Sequence, residues 1–298
     1  MSTAARIIMT DLPLRVTEHG NGAGGETFLL LHGYAGSSFT WRQWLPDLAR
    51  RGRVLTVDLK GFGDAPKPDD DRYAPGDLAD LVVALVLEMG LHRLTLVGHS
   101  LGGSIALLVA LRLLDASEER LGRLVLIASP AYRQRLPPMV SLSKAPRLAR
   151  LLLRVVGTRR VVRFVLRQIV VDAATVSYDQ VAAYAHPLES EEGVRSAMAV
   201  GRSILPGDLD ATAARYPELE IPTLLLWGDR DRVVPLRIGQ RLSHDLPDAR
   251  LVIMERCGHI PPEELPKTSL RHLEEFVEAT PLPPHPSDPR RERGAAAS

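Results

Sequence analysis

Residues 93–103 of the chain are RLTLVGHSLGG, a stretch in which a strand, a tight turn and a helix follow one another. The apolar and β-branched run at 94–97 predicts a buried parallel strand, and residues 101–114 predict a helix. Between them, Gly98-His99-Ser100-Leu101-Gly102 fits the pattern G-x-S-x-G, which holds a serine on a strained turn. The glycines leave room where a Cβ would collide with the neighbouring strand or helix. We therefore expect the Ser100 hydroxyl to stand above the strand end, open to a substrate carbonyl.

Ser100 has a structural and a chemical interpretation. A serine between glycines can simply cap a helix, since serine is a favoured N-cap residue and glycine is common in turns. As a nucleophile, a serine hydroxyl is weak at neutral pH and needs an imidazole to take its proton and a carboxylate to orient that imidazole. The chemical interpretation therefore requires a histidine and an acid on loops at the same edge of the sheet.

The composition is that of an ordinary globular protein. The 298 residues are 45% hydrophobic and 24% charged. The formal net charge of +1 gives no global reason to expect a nucleic-acid partner, so we expect a small-molecule substrate. The sequence does not indicate an oligomeric state. Cys257 is the only cysteine, which excludes an intrachain disulfide. No signal-like segment or run of bilayer length is present, so a cytoplasmic location is the default expectation.

The order of apolar runs predicts an α/β fold with a mostly parallel, doubly wound sheet. Predicted strands occupy residues 12–16, 27–31, 53–57, 94–97, 123–128, 223–227 and 250–254. Predicted helices occupy 41–50, 77–89, 101–114 and 237–246, with Asp77 as a cap and a closing helix that ends at Glu278. Residues 1–128 and 207–280 are expected to form the core, 129–206 an inserted helical cap, and the proline-rich 281–298 a disordered tail.

The predicted cap is rich in arginine. Residues 133–167 contain nine arginines, one lysine and no carboxylate. Within this region, 147–171 mixes cationic and apolar residues at near-helical spacing. We expect its helices to bury their apolar stripe on the domain below and to leave the arginines in water. The alternative is contact with a membrane surface.

A base and an acid for Ser100 follow later predicted strands. His259 comes after the last strand, whereas His32 and His99 lie beside glycine turns and are expected to support the loops through ring hydrogen bonds. Asp229 and Asp231 both follow the strand at 223–227. We favour Asp231, because Asp229 lies in the tight turn and can bond to nearby backbone N–H groups. The resulting order, Ser then Asp then His, is the order of one hydrolase fold.

Two backbone N–H groups are candidates for binding an oxyanion. The Leu101 N–H begins the predicted helix behind Ser100, where negative charge is favoured. The Tyr34 N–H lies in the loop HGYAGSS at 32–38, which leaves its strand and so has amides unpaired by the sheet. The alternative for this loop is a plain strand-to-helix turn.

Five segments together resemble the α/β-hydrolase superfamily. They are LLLHGYAGSS at 29–38, DLKGFGDAPKP at 58–68, VGHSLGG at 97–103, LLLWGDRDRVVP at 224–235 and CGHIPPEE at 257–264. The resemblance covers about residues 12–278, with the cap only loosely matched, and Ala65 replaces a serine common in the second segment. It implies a hydrolase with no metal or organic cofactor. Ser100 argues against the members that cleave carbon–halogen bonds or epoxides, because those use an aspartate at this position.

The expected activity is hydrolysis of an acyl, ester-type bond in a small, apolar substrate. Ser100 would attack the carbonyl, His259 held by Asp231 would accept the proton, and the N–H groups of Tyr34 and Leu101 would stabilise the oxyanion. The same residues also suit cleavage of a carbon–carbon, lactone, amide or thioester bond. A ligand-binding homologue without turnover is a further alternative.

Overall fold

The computed structural model describes residues 5–20, 25–118, 120–205 and 208–282. The strands in these residues are β1 (Arg6–Ile8), β2 (Arg15–His19), β3 (Glu26–Leu31), β4 (Gly52–Asp58), β5 (Leu94–His99), β6 (Leu121–Ile127), β7 (Thr223–Gly228) and β8 (Ala249–Met254). They form one sheet in the order β1-β2-β4-β3-β5-β6-β7-β8. The strands from β4 to β8 along this order are parallel, and β1 and β2 are antiparallel at one edge. The predicted mostly parallel sheet is confirmed.

The first edge of the sheet differs from the prediction. The strand expected at residues 12–16 begins only at Arg15 and continues to His19, and β1 pairs outside it. Pro13 explains the late start, because a proline has no N–H to donate to a strand ladder. The outermost strand β1 is only three residues long and was not predicted, since so short a run carries no recognisable period.

The α-helices are α1 (Leu45–Arg51), α2 (Pro75–Glu88), α3 (Leu101–Asp115), α4 (Pro138–Ser141), α5 (Pro146–Val156), α6 (Thr158–Ile169), α7 (Tyr178–Ala185), α8 (Glu191–Ser203), α9 (Leu209–Ala214), α10 (Leu236–Asp245), α11 (Pro261–Glu264) and α12 (Pro266–Ala279). Short 3-10 helices occupy Ser38–Trp41, Leu142–Lys144, Ala173–Thr175, His186–Glu189 and Tyr216–Glu218. The helix predicted at 41–50 is thus split into a 3-10 turn and α1, whose start is fixed by Pro46. Asp77 is the third residue of α2, where its carboxylate accepts the Ala74 N–H at 2.9 Å.

Apolar side chains fill both faces of the sheet. Leu29, Leu96 and Leu225 point to the face covered by α2, α3 and α10. Their neighbours along the strands, such as Leu30 and Val97, point to the opposite face, which is covered by α1 and α12. Strands that are buried on both sides read as continuous apolar runs, which is why they were visible in the sequence.

Helices α4 to α8 are inserted between β6 and β7 and lie against the loops at the carboxyl ends of the strands. The Tyr34 hydroxyl, after β3, donates to the carbonyl of Ala197 in α8 at 2.8 Å. The Gln180 amide in α7 donates to Glu263, after β8, at 3.1 Å. The division into a core and a cap at 129 and 206 stays a prediction. Most of the predicted tail, residues 283–298, lies outside the described residues.

The expected burial of the arginine-rich helices is wrong for α5. Leu148, Leu151 and Val155 are 56%, 56% and 72% exposed, and only Ala149 of this helix is fully buried. The reason is that α5 rests mainly on a narrow cluster with residues of α8, whereas α6 buries Val162 and other residues against α7. Within the part of the chain that is described, no helix is long and apolar enough to cross a bilayer.

Candidate active site

Ser100 occupies a strained turn between β5 and α3. Its backbone has φ 52° and ψ −120°, a conformation that a residue with a side chain rarely adopts. The flanking glycines permit the turn: a Cβ on Gly98 would lie 2.3 Å from the carbonyl oxygen of Gly102, and one on Gly102 would lie 2.3 Å from that of Leu31. The Ser100 side chain makes no capping hydrogen bond to α3, so the helix-cap interpretation is wrong.

Three side chains from three loops form a hydrogen-bonded chain. Nε2 of His259 is 3.0 Å from Oγ of Ser100, and Nδ1 of His259 is 2.9 Å from Oδ2 of Asp231. A carboxylate only accepts, so Nδ1 carries the proton and Nε2 has a lone pair directed at the serine hydroxyl. This is the arrangement in which an imidazole can take a proton from a serine.

Asp231 is held by its own loop. Its Oδ1 accepts the N–H groups of Val233 and Val234 at 2.8 and 2.9 Å, which leaves Oδ2 for the imidazole. Among the hydrogen bonds of the described residues, none joins Asp229 to the histidine ring. Its carboxylate accepts the Cys257 N–H at 3.2 Å, across to the loop after β8, rather than bonding within its own turn as expected. Asp231 is thus the acid that the structure brings to His259.

The loop that carries His259 is fixed by a residue whose function was not predicted. The Glu264 carboxylate accepts the N–H groups of Gly258 at 3.0 Å, Ile260 at 3.1 Å and Val171 at 2.8 Å. The sequence showed Glu264 only as an acid in the first turn of a helix, which is favourable in itself. The sequence around Glu264 could not reveal its bond to the Val171 amide, because Val171 is 93 residues away.

Gly258 allows a close approach between the histidine loop and the helical insertion. A Cβ at this position would lie 2.4 Å from the carbonyl oxygen of Ile169, at the end of α6. The same carbonyl accepts the backbone N–H of His259 at 2.9 Å. The backbone of the histidine is therefore bonded directly to the helical insertion.

The two predicted oxyanion donors have no acceptor within the described residues. The Leu101 N–H is the first amide of α3, and the Tyr34 N–H lies in the loop after β3. A Cβ on Gly33 would lie 3.1 Å from Cβ of Ser100, so this loop passes close to the serine. Both amides are free to bind an oxygen atom, and their role as an oxyanion hole stays a prediction.

His32 and His99 support the site as predicted. Nδ1 of His32 donates to the Gly33 carbonyl at 2.7 Å, and its Nε2 accepts the Leu59 N–H at 3.0 Å. Nε2 of His99 donates to the carbonyl of His259 at 2.8 Å. Both rings therefore fix loop backbone beside Ser100.

Burial keeps His99 neutral next to the proposed base. Desolvation, followed by repulsion from His259, lowers the pKa of His99 from 6.5 to about 3. The two rings lie 5.1 Å apart. A neutral His99 adds no charge that would oppose protonation of His259 during a reaction.

The low pKa of His99 predicts a loss of stability in acid. In the unfolded chain this group takes up a proton near pH 6.5, whereas in the folded chain it does so only near pH 3. Its contribution is complete above pH 6.5 and is lost as the pH falls towards 3, which lowers the free energy of unfolding by about 2 kcal/mol between pH 7 and pH 5. Urea denaturation at these two pH values measures the change.

The substitution His99→Gln retains a donor for the His259 carbonyl and removes the titrating ring. We expect a clearly smaller fall in stability between pH 7 and pH 5 for this variant than for the parent. His244→Gln, at an exposed position, is the matched control and should fall like the parent. Equal falls in the parent and in His99→Gln would contradict the assignment.

The polar side chains in and near the site are largely buried. Ser100 and His259 are only 8% and 5% exposed. Glu263, four residues after His259, is buried as well. It receives hydrogen bonds from Arg42, from Gln180 and from the Tyr184 hydroxyl, and burial raises its pKa. No group of three His, Cys, Asp or Glu side chains in the described ranges could hold a metal ion.

Known proteins are similar to this chain over nearly its whole length. An uncharacterized hydrolase of Bacillus subtilis (strain 168), YugF, is 29% identical over 260 residues, which are 87% of this chain and 93% of that protein. A 2-hydroxy-6-oxononadienedioate/2-hydroxy-6-oxononatrienedioate hydrolase of Cupriavidus pinatubonensis is 28% identical over 276 residues, 90% of this chain and 92% of that protein. The crystal structure of a membrane phospholipase A, described as a bacterial virulence factor, matches with a TM-score of 0.73 at 28% identity over 94% of this chain and 87% of that one.

The family model also matches. It is described as the alpha/beta hydrolase fold and covers residues 26–266, from β3 to the first residue of α12. This range contains the strained turn of Ser100 and the loops of Asp231 and His259. The sheet order and the family match agree, and the chain belongs to the alpha/beta hydrolase fold family.

Proposed function

We propose that the protein is a serine hydrolase of the carboxylesterase type, which cleaves an acyl ester of a small, apolar substrate through an acyl-enzyme. The observation that carries the proposal is the chain of hydrogen bonds from Asp231 through His259 to Ser100. A serine alone on this turn would be a weak nucleophile, and the imidazole beside it supplies the missing base.

The proposed reaction has two steps, formation of the acyl-enzyme and its hydrolysis, and both use the same groups. Oγ of Ser100 forms a bond to the acyl carbon while its proton moves to Nε2 of His259, and the carbonyl oxygen becomes an oxyanion. The N–H groups of Leu101 and Tyr34 would donate to this oxyanion. The C–O bond to the alcohol then breaks and the alcohol leaves with the proton from Nε2. Water attacks the acyl-enzyme in the same way and releases the acid.

The charges around the site favour a neutral substrate. Within the described residues, no lysine or arginine forms a hydrogen bond or ion pair with Ser100, His99 or His259. Burial raises the pKa of the neighbouring Cys257 thiol, and the carboxylates of Glu264, Asp231 and Asp229 raise it further. An anionic group next to the serine would be repelled by them, whereas an uncharged acyl chain would not.

The proteins that are similar to this chain suggest two kinds of bond that the site could cleave. The structure described as a membrane phospholipase A favours an ester, because phospholipases A act on acyl esters. The hydrolase from Cupriavidus pinatubonensis is named for a 2-hydroxy-6-oxo-dienedioate and favours cleavage of a carbon–carbon bond as the second candidate. We place the ester first, because a dioate carries two carboxylates and, within the described residues, no lysine or arginine is bonded to Ser100 or His259.

A substrate panel tests the proposal. p-Nitrophenyl acetate, butyrate and octanoate are compared with a 2-hydroxy-6-oxo-dienoate, and Ser100 is labelled with a fluorophosphonate probe. We expect turnover of at least one ester and covalent labelling of Ser100. Turnover of the dienoate alone would assign the second candidate. If the protein turned over none of these substrates and Ser100 were not labelled, the result would indicate a ligand-binding homologue and contradict the proposal.

A further inference from the structure

Helix α5 presents an apolar face to solvent. Leu148, Leu151, Leu152 and Val155 recur at the spacing i, i+3, i+4 and i+7, which places them on one side of a helix. All four are exposed, and Val156 at the end of the helix is exposed as well. Five exposed large apolar residues on a helix of eleven are unusual for a surface that meets only water.

Arginines occupy a second face of the same helix. Arg147, Arg150 and Arg154 recur at the spacing i, i+3 and i+7, and they are all exposed. Within the described residues, none of the three forms an ion pair or a hydrogen bond with another side chain. Helix α5 thus combines an uncovered apolar face with an uncompensated cationic face.

Helix α6 carries a similar set of exposed residues. It follows α5 after Gly157 and packs against it. Phe164 is 65% exposed and lies one turn from Arg160 and from Arg167. These two arginines and Arg163 likewise have no ion pair in the part of the chain that is described. Arg159 differs, because it bonds to Glu189 at 3.0 Å.

We propose that α5 and α6, together called the basic helix pair, dock on a membrane surface that contains anionic lipids. A helix with aliphatic residues on one face and arginines beside them lies in the plane of a bilayer interface, with the apolar face among the upper parts of the acyl chains. The arginine side chains are long enough to reach from there to the headgroup phosphates. Unpaired cations gain most from such phosphates, since they give up no internal ion pair on binding.

The charge of the pair decides between a lipid surface and a second copy of the chain. In a symmetric dimer the same patch meets itself, so the six unpaired arginines of one copy would face the six of the other. Like charges at such an interface repel, and no carboxylate occurs between residues 133 and 167 to compensate them. An anionic bilayer offers both an apolar layer and negative charge over the whole length of the two helices.

Vesicle sedimentation with the full chain tests this proposal. The vesicles are made of diether phosphatidylcholine, either alone or mixed with diether phosphatidylglycerol. Diether lipids contain no acyl ester, so binding is measured independently of the hydrolysis proposed above. We expect binding to the mixed vesicles, at least about tenfold weaker binding to pure phosphatidylcholine, and loss of binding at high salt.

Two sets of variants separate the contributions of charge and apolar area. Arg154→Glu with Arg163→Glu should weaken binding to the mixed vesicles by at least about tenfold. Arg154→Lys with Arg163→Lys should retain it, because the charge is kept. Leu151→Ser with Val155→Ser should weaken binding to the mixed vesicles at low salt, although all the arginines are kept. The matched control is Arg237→Glu with Arg250→Glu, two exposed arginines outside the pair, which should bind like the parent.

Three results would overturn the proposal. The first is equal binding to neutral and anionic vesicles, and the second is equal loss of binding in the control and in the glutamate variant of the pair. The third is the absence of vesicle binding together with a dimer, measured by light scattering, that Leu151→Ser with Val155→Ser dissociates. That result would assign the exposed face to a second copy.

Discussion

Replacing Ser100 by alanine is expected to lower kcat for p-nitrophenyl butyrate by a factor on the order of 10⁴ to 10⁶. The substitution removes the only atom of the triad that can form the acyl bond, and it leaves His259 and Asp231 in contact with each other. Any remaining rate would come from water held between the oxyanion donors and the imidazole. Stopped or continuous absorbance assays measure the loss, and mass spectrometry should show that the fluorophosphonate adduct is gone.

The neighbouring Ser104 provides the matched control. Its hydroxyl donates to the carbonyl of Pro130, away from the imidazole. Ser104→Ala should therefore keep kcat within a few-fold of the parent, and thermal unfolding should show that both variants are folded. Substantial ester hydrolysis by Ser100→Ala would show that another group performs the chemistry, and the proposed mechanism would be abandoned.

Asp231→Asn is expected to lower kcat by a factor on the order of 10⁴. The amide oxygen can still accept the N–H groups of Val233 and Val234. Its NH₂ group then faces Nδ1 of His259 and donates to it, so that the ring must carry its proton on Nε2. That proton points at the Ser100 hydroxyl, and the imidazole can no longer act as its base.

Asp229→Asn is the control for this effect, since it changes the same chemical group two residues away. It should leave kcat nearly unchanged, because the carboxylate of Asp229 contacts a backbone amide and not the imidazole. Steady-state kinetics of the two variants at one pH give the comparison. Similar losses in both would mean that charge in this loop, rather than the tautomer of His259, controls the rate.

The parallel strands and the three residues of the triad could be predicted because their signals are local. A strand buried on both faces is a continuous apolar run, and Gly98 and Gly102 mark a turn that tolerates no other residue. Since the loops after parallel strands share one edge of the sheet, Ser100, Asp231 and His259 could be expected to meet although they are far apart in sequence.

The remaining features depend on contacts that no local pattern specifies. The period of α5 predicts that the helix has an apolar face, but it does not tell what covers that face. Glu264 carries an ordinary signal for a helix start, whereas its bond to Val171 requires the helical insertion to be in place. The short strand β1 exists only through its pairing with β2.

The hydrogen bond from the His259 amide to Ile169 constrains how the enzyme can admit a substrate. If α6 moved away from the sheet as a rigid body, it would break this bond or pull the imidazole of His259 out of line with the Ser100 hydroxyl. If the insertion acts as the predicted cap, a substrate would therefore enter where the insertion is not bonded to the histidine loop. A hinge at this bond would displace His259 from Ser100 whenever a substrate entered. Helix α6 would therefore stay in place while another part of the insertion moves.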